Sequence, residues 1–230
     1  MLVPAELERT WVVIPAFNEA QVIAATVTSV LKRFANVVVV DDCSVDGTGE
    51  IALAGGTHLC RHPVNLGQGA ALATGIAYAL GRGAEAIVTY DADGQHAVDD
   101  AVHMVDMLRS RQVDVVLGSR FLGQTVGLPI ARRLLLGAAV FYTRLSTGLR
   151  VTDAHNGLRV LSRAAAQRIA IRQNRMAHAS EILEQIAEMK LPFVEVPCTI
   201  TYTDYSRSKG QSWRGAVTIL ADLFIRRLHR

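Results

Sequence analysis

Cysteine is scarce in the 230-residue chain: Cys43, Cys60 and Cys198 lie far apart, and no Cys-x-x-Cys pair occurs. That spacing argues against a disulfide framework or a zinc ribbon and fits small buried thiols in a reducing compartment. Long apolar runs are missing too. The longest, residues 134–142 and 216–225, fall well short of the ~20 residues a spanning helix needs, and Asp222 interrupts the second. Glu6 and Glu8 precede any apolar run, unlike an export signal, so a cytoplasmic location is expected. A net charge of +3, with Lys and Arg spread along the chain, does not imply a nucleic-acid partner. The one basic cluster is Arg226, Arg227 and Arg230, suited to a solvated helix end, an anionic membrane surface or a polyanionic substrate. No internal repeat and no low-complexity segment is present.

With 50% apolar and 20% charged residues, the chain has the composition of a soluble globular protein, and its length fits one domain. Short β-branched runs at residues 11–14, 37–40, 86–90 and 113–117 read as buried strands. Between them, residues 20–34, 47–54, 68–80 and 98–109 have helical spacing. This alternation predicts a Rossmann-like, mainly parallel α/β sheet flanked by helices, with ligands at the carboxyl ends of the strands. Further on, residues 121–130 read as a mobile loop and 132–147 as a helix. Residues 157–162 read as a strand, 180–189 as a helix, and 193–202 as a strand that Pro197 consigns to an edge or a bulge. A last helix starts near Ser212.

Three polar loops follow the first strands: Pro15-Ala16-Phe17-Asn18-Glu19, Asp41-Asp42-Cys43-Ser44, and Asp91-Ala92-Asp93-Gly94-Gln95-His96. Asp91 and Asp93 can both face a hard cation, Mg²⁺ or Mn²⁺, once the chain turns at Gly94, and Gln95 or His96 can add a ligand or hydrogen bond. A cation there would hold a nucleoside diphosphate and neutralise it as a leaving group. Asp99 and Asp100 suit the start of the next helix and are read as structural. Asp46 and Gly47 suit a helix cap, which leaves Asp42 for a base N–H or a ribose hydroxyl. The loop Asn65-Leu66-Gly67-Gln68-Gly69-Ala70 is neither a Walker loop nor a dinucleotide fingerprint. Its small residues are expected to let backbone approach the nucleotide or the loop of Asp91, and Gln68 joins the nucleotide-binding set.

The segments Ile-Pro-Ala-Phe-Asn-Glu, Val-Val-Asp-Asp-Cys-Ser-Val-Asp-Gly-Thr, Asn-Leu-Gly-Gln-Gly-Ala-Ala, Asp-Ala-Asp-Gly-Gln-His and Gly-Ser-Arg-Phe occur in this order over residues 11–121. Together they resemble family-2 glycosyltransferases, and among these the dolichol- and polyprenyl-phosphate sugar synthases. The resemblance implies a single GT-A domain, with residues 11–121 as the nucleotide-sugar half and 122–230 as the acceptor half. It also implies an inverting transfer from a UDP- or GDP-sugar and a divalent metal. Carried onto this sequence, it places Pro15, Phe17, Glu19 and Asp42 around the nucleoside, and Asp91, Asp93 and Gln95 around the metal and diphosphate. Phe17 stands where Tyr is common, which preserves stacking but not a phenol hydrogen bond.

Arg120 is expected to meet a phosphate, the alternative being an ion pair. Asp153, in Asp153-Ala-His155-Asn156-Gly157-Leu158-Arg159, is a candidate acceptor-orienting group or base, with His155 secondary. Glu181 is either a base or, with Ser180 as a cap, part of a helix start. Arg207 and Lys209 resemble a loop that closes over the diphosphate and stabilises the leaving group. The final helix carries Val217, Leu220, Phe224 and Leu228 on one face, suited to core docking or membrane contact. The acceptor this implies is polyprenyl phosphate at the inner membrane face, reached by peripheral contact or through a separate membrane-protein partner. Two rival readings are a catalytically silent nucleotide-sugar-binding subunit and a sugar-nucleotide pyrophosphorylase. The second lacks the Gly-rich signature expected after the first strand.

Overall fold

The computed structural model describes residues 7–128, 130–202 and 205, without the side chains of 131 and 132. The last helix read from the sequence, and Arg207 and Lys209 with it, lie outside the described residues.

The alternation of strand and helix signals emerges as β1 (Thr10–Ala16), α1 (Ile23–Leu31), β2 (Asn36–Asp41), α2 (Thr48–Ala54), β3 (His58–Arg61), α3 (Gln68–Gly81), β4 (Ala86–Thr89) and α4 (Val98–Ser110). There follow β5 (Val115–Val126), α5 (Ile130–Thr147), β6 (Arg159–Ser162), α6 (Arg163–Arg168), α7 (His178–Glu188) and β7 (Phe193–Thr201). The seven strands form one sheet in the order β3-β2-β1-β4-β6-β5-β7. β1 pairs in parallel with β2 and β4, β2 with β3, and β5 with β7, whereas β6 runs antiparallel to β4 and β5.

Both sheet faces are covered because residues 11–14 of β1, 37–40 of β2 and 86–88 of β4 are apolar whichever face they point to. Val12 and Ile14 point to a cluster with Ile23, Val27, Val30, Met104 and Val105 of α1 and α4. The alternate residues Trp11 and Val13 point to a cluster with Leu72, Ile76, Ile182 and Leu183 of α3 and α7. Gly75 lets α3 settle directly on Val13 and Val40.

Two sequence expectations change. Residues 121–126 continue β5 where a loop was expected: after a register shift between Ser119 and Gln124, Gln124 pairs with Thr199 and Val126 with Thr201. Gly123 is needed there because a Cβ would strike the Cys198 backbone. β3 carries no β-branched run, and edge pairing with β2 creates it. Pro197 lies on the edge strand β7, opposite Ser119 at the irregularity, as its missing N–H requires.

Candidate active site

The loops after β1 and β2 hold each other through backbone donors. Asn18 N–H donates to Ser44 Oγ at 2.9 Å, Glu19 N–H to Thr48 Oγ1 at 2.8 Å, and Ala20 N–H to Asp46 Oδ2 at 3.0 Å. Asp46 Oδ1 also accepts the Thr48 N–H at the start of α2, so one carboxylate serves both the helix entrance and the neighbouring loop. Asn18 and Cys43 take left-handed φ values of 53° and 66°, which tight turns at the strand ends demand. This frame presents Pro15, Phe17 and Glu19 to a cavity of about 390 Å³, with Phe17 42% exposed. The Tyr205 hydroxyl donates to Glu19 Oε2 at 2.7 Å.

Asp42 lines the same cavity, and its carboxylate is heavily engaged. Oδ1 lies 2.7 Å from His62 Nδ1 and accepts the Leu66 N–H at 2.9 Å, while Oδ2 accepts the Gly67 N–H at 2.7 Å. His62 in turn reaches Thr74 Oγ1 at 3.0 Å. Asp42 therefore fixes the 65–67 loop against the end of β2, and only the rest of its acceptor capacity faces a ligand. Asp41 pairs with Arg61 at 3.2 Å and supports the turn through the Ser44 N–H.

Asp91 and Asp93 stand at the end of β4 on the cavity wall. Asp91 Oδ1 accepts from Gln68 Nε2 at 3.0 Å, and Oδ2 lies 3.2 Å from His96 Nε2. Gln95 donates both its N–H and its side-chain amide to Asp93. Burial pushes Asp91 up, but the His96 hydrogen bond and the charges of His96 and Arg159 outweigh it and hold the carboxyl below its ordinary value. Asp93 goes the other way, raised to about 6 by burial and then by the negative charge of Asp91. A buried carboxyl whose ionisation a neighbouring carboxylate opposes suits a hard cation, which relieves it. Among the described residues no group of three or more His, Cys, Asp and Glu could hold a metal, so a cation here needs oxygens from a ligand as well. Gln95 directs its amide nitrogen at Asp93, and its oxygen can join a cation only after the amide turns. Asp100 accepts the Thr199 N–H at 2.6 Å and Asp99 pairs with Arg33 at 3.0 Å, both away from the cavity.

The opposite wall comes from β5, the 151–157 segment, β6 and the start of α7. Arg120 is buried, and each of its three guanidinium nitrogens is engaged: Nε donates to Asp153 at 2.6 Å, Nη1 to the Tyr202 hydroxyl at 2.9 Å and Nη2 to the His155 carbonyl at 2.7 Å. Burial alone would lower the Arg120 pKa, yet Asp153 and Tyr202 raise it above its ordinary value. Asp153 also accepts the N–H groups of Arg120 and His155, and it lies behind the cavity lining. Glu195 on β7 secures the segment by accepting the N–H of Thr152 at 2.8 Å and of Asp153 at 3.2 Å.

At the entrance of α3, Asn65, Gly67 and Gln68 line the cavity, while a neighbouring loop covers Gly69 and one side of Gly67. Gly69 N–H donates to the Asn174 carbonyl at 2.8 Å, and Cβ atoms at Gly67 and Gly69 would strike the backbone of residues 173–174. Those glycines admit a neighbouring loop, and only Gln68 reaches Asp91. Ser180 is not a cap, because α7 begins two residues earlier at His178 with Ala177 before it. Glu181 accepts the N–H groups of Arg172 and Gln173 at 3.0 and 2.9 Å, tying down the loop that covers α3.

Three further residues shape the site. Gly157 abuts Asp91 so closely that any Cβ would collide with its carboxylate. Arg159, the first residue of β6, is buried in the cavity wall, bonds the Ala179 carbonyl at 3.3 Å, and is lowered to about 10 by burial. His178 is lowered to about 4 by burial and by Arg159, with Nδ1 2.8 Å from the Arg175 carbonyl. An arginine opening a buried strand in the sequence is the signal that could have found Arg159; His178 has no such signal, since its neighbours come from distant segments.

The family model described as glycosyl transferase family 2 matches residues 11–170. An uncharacterised protein of Methanocaldococcus jannaschii is 36% identical, covering 96% of this chain and 93% of its own length. A UDP-N-acetylglucosamine–dolichyl-phosphate N-acetylglucosaminyltransferase of Methanococcus voltae is 31% identical over 87% of this chain and 88% of its own. The polyprenol monophosphomannose synthase of Mycolicibacterium smegmatis is 32% identical over 95% and 88%. Among solved structures, glucosyl-3-phosphoglycerate synthase from Mycobacterium tuberculosis, crystallised with Mn²⁺, UDP and phosphoglyceric acid, superposes with a TM-score of 0.66 at 19% identity, covering 94% of this chain and 78% of that one. The architecture is thus the GT-A fold of glycosyltransferases. On the match of the family model and these identities, the chain belongs to glycosyl transferase family 2, as a glycosyltransferase related to the polyprenyl-phosphate sugar transferases.

Proposed function

We propose that the chain transfers a hexose, with inversion, from a UDP- or GDP-sugar to polyprenyl phosphate at the inner face of the membrane. The observation that carries this reading is the absence of a usable base on the described acceptor-side wall. Asp153 is consumed by Arg120, and Glu181 is bound to two backbone N–H groups. His155 and His178 are both lowered to about 4, too weakly basic to take a proton from a sugar hydroxyl at neutral pH. A phosphate arrives already ionised and needs no base. Its oxygen attacks the anomeric carbon, the bond from that carbon to the diphosphate oxygen breaks, and the electron pair leaves with the nucleoside diphosphate. One displacement inverts the centre.

Phe17 offers a face for the base, with Pro15, Glu19 and Asp42 around the nucleoside. Asp91 and Asp93 would hold Mg²⁺ or Mn²⁺, which when bound supplies charge neutralisation to the departing diphosphate. The Mn²⁺ and UDP in the mycobacterial neighbour support this reading. Gln68 and His96 orient Asp91, Gln95 orients Asp93, and Arg207 and Lys209 are assigned to the diphosphate. Arg120 and Asp153 act as a fixed pair that sets the acceptor wall. His178 donates from Nδ1 to the Arg175 carbonyl, so its Nε2 lone pair is left to accept a sugar hydroxyl.

The test is transfer of labelled hexose to polyprenyl phosphate and, in parallel, to the uncharged polyprenol. Product from the phosphate alone is expected. Equal labelling of the alcohol would sink the reading, and donor binding without product would assign the chain as a silent binding subunit.

A further inference from the structure

Helix α5 is apolar on two opposite faces. Its inner face, with Ala139, Val140 and Thr143, is buried and packs towards α7. Its outer face carries Ile130, Leu134, Phe141 and Leu145 at 80%, 71%, 70% and 64% exposure, the most open large apolar side chains in the described chain apart from Val45. At 3.6 residues per turn these four fall within an arc of about 60°, so they form a single stripe along about four turns. Exposed Leu122 and Val126 on β5 lie on the chain just before it. A stripe of this kind covers something, since soluble monomers rarely leave one open.

Charge identifies what covers it. Between Asp114 and Asp153 the sequence has no Asp or Glu, yet it has Arg120, Arg132, Arg133, Arg144 and Arg150. Arg133 and Arg144 are exposed and lie along one border of the stripe; Arg144 Nε donates to the Val151 carbonyl at 2.7 Å, and the long side chain of Arg133 can reach outward from the apolar surface. An apolar stripe with a purely cationic border matches the boundary of an anionic bilayer, where acyl chains meet negative headgroups. α5 is one of the described helices, none of which is long and apolar enough to cross a membrane. We propose that α5 lies flat in the surface of an anionic membrane, with Leu134, Phe141 and Leu145 entering the acyl boundary. The chain reaches this helix directly from Arg120 in the cavity wall. Under the lipid-phosphate reading, on which the purpose of this contact rests, the helix brings the cavity to its acceptor.

Flotation of the full chain with vesicles tests this. Vesicles of phosphatidylcholine mixed with phosphatidylglycerol should carry the protein upward, vesicles of phosphatidylcholine alone much less, and added salt should release it. Leu134→Gln combined with Phe141→Gln should lower the partition by about tenfold or more, and because both sites are exposed the thermal midpoint should hold. Arg133→Gln with Arg150→Gln should remove only the preference for the anionic lipid. Wild-type partition by the Leu134/Phe141 variant would overturn the proposal. So would a dimer, seen by sedimentation, that this variant dissolves and that shows no vesicle affinity. Vesicle binding is read without donor or acceptor. A chain that floats through α5 but transfers nothing to polyprenyl phosphate therefore refutes the proposed function and leaves this surface standing.

Discussion

The two walls of the cavity are built by different physics. On the side proposed for the donor, Asp41, Asp42 and Asp46 spend most of their oxygens on backbone N–H groups of neighbouring loops, so the loops are shaped by bonds that survive changes in the ligand's charge. On the side proposed for the acceptor, Asp153 and Glu195 also hold backbone N–H groups, but buried guanidinium groups face Asp153 and two histidines kept neutral. The first arrangement makes a rigid seat. The second makes an electrostatic surface whose members depend on one another, because a buried charge that loses its partner costs several kcal/mol.

The contrast can be broken from either side. Asp93→Asn should have the largest effect: transfer falls by about a thousandfold or more, while the thermal midpoint changes little or rises, because a repelling charge is gone. Activity within a fewfold of wild type would place the cation elsewhere. Asp153→Ala leaves Arg120 buried without its anion and should cost about 3–5 kcal/mol in urea unfolding. A loss below about 1 kcal/mol would show that Tyr202 and the His155 carbonyl suffice for the guanidinium. Gly157→Ala forces a methyl group into the Asp91 carboxylate at the seam of the two walls, and should cost about 1–3 kcal/mol together with activity. The smallest effect concerns pH. His178 titrates at about 4 in the folded chain against an ordinary 6.5, so below 6.5 the unfolded chain takes up a proton that the folded one refuses. Its contribution is complete above pH 6.5 and is lost as pH falls towards 4, amounting to about 1–2 kcal/mol at pH 5. His178→Asn, which can still donate to the Arg175 carbonyl, should flatten that part of a stability-against-pH curve. An unchanged slope would assign it to His155.

The donor wall was largely legible in the sequence because it is local. Each of its acids follows a β-branched run and precedes a helix start, so strand ends and polar loops could be read together. What was missed there was engagement: Asp42 looked unspent, and only the fold brings His62, Leu66 and Gly67 onto it. The acceptor wall was legible only as a list of polar residues. The Asp153 and Arg120 pairing spans 33 positions, and the covering of α3 by residues 173–175 depends on packing that no periodicity reports. The glycines at 121–130 argued for a loop, whereas Gly123 is there to let two strands approach.

The antiparallel strand β6 makes loop length a heritable constraint. It is wedged between β4 and β5 with Arg159 opposite both Thr89 and Leu117, and its start is fixed by Gly157 against Asp91. Adding or deleting one residue between Asp153 and Gly157 would slip that register by one, turning Arg159 out of the cavity and Leu158 or Val160 into it. Insertions are therefore expected to be tolerated around Gly81 and Gly83, where nothing crowds the backbone, and rejected in this short stretch. A scan of single-residue insertions through the chain would trace the cavity by where it fails.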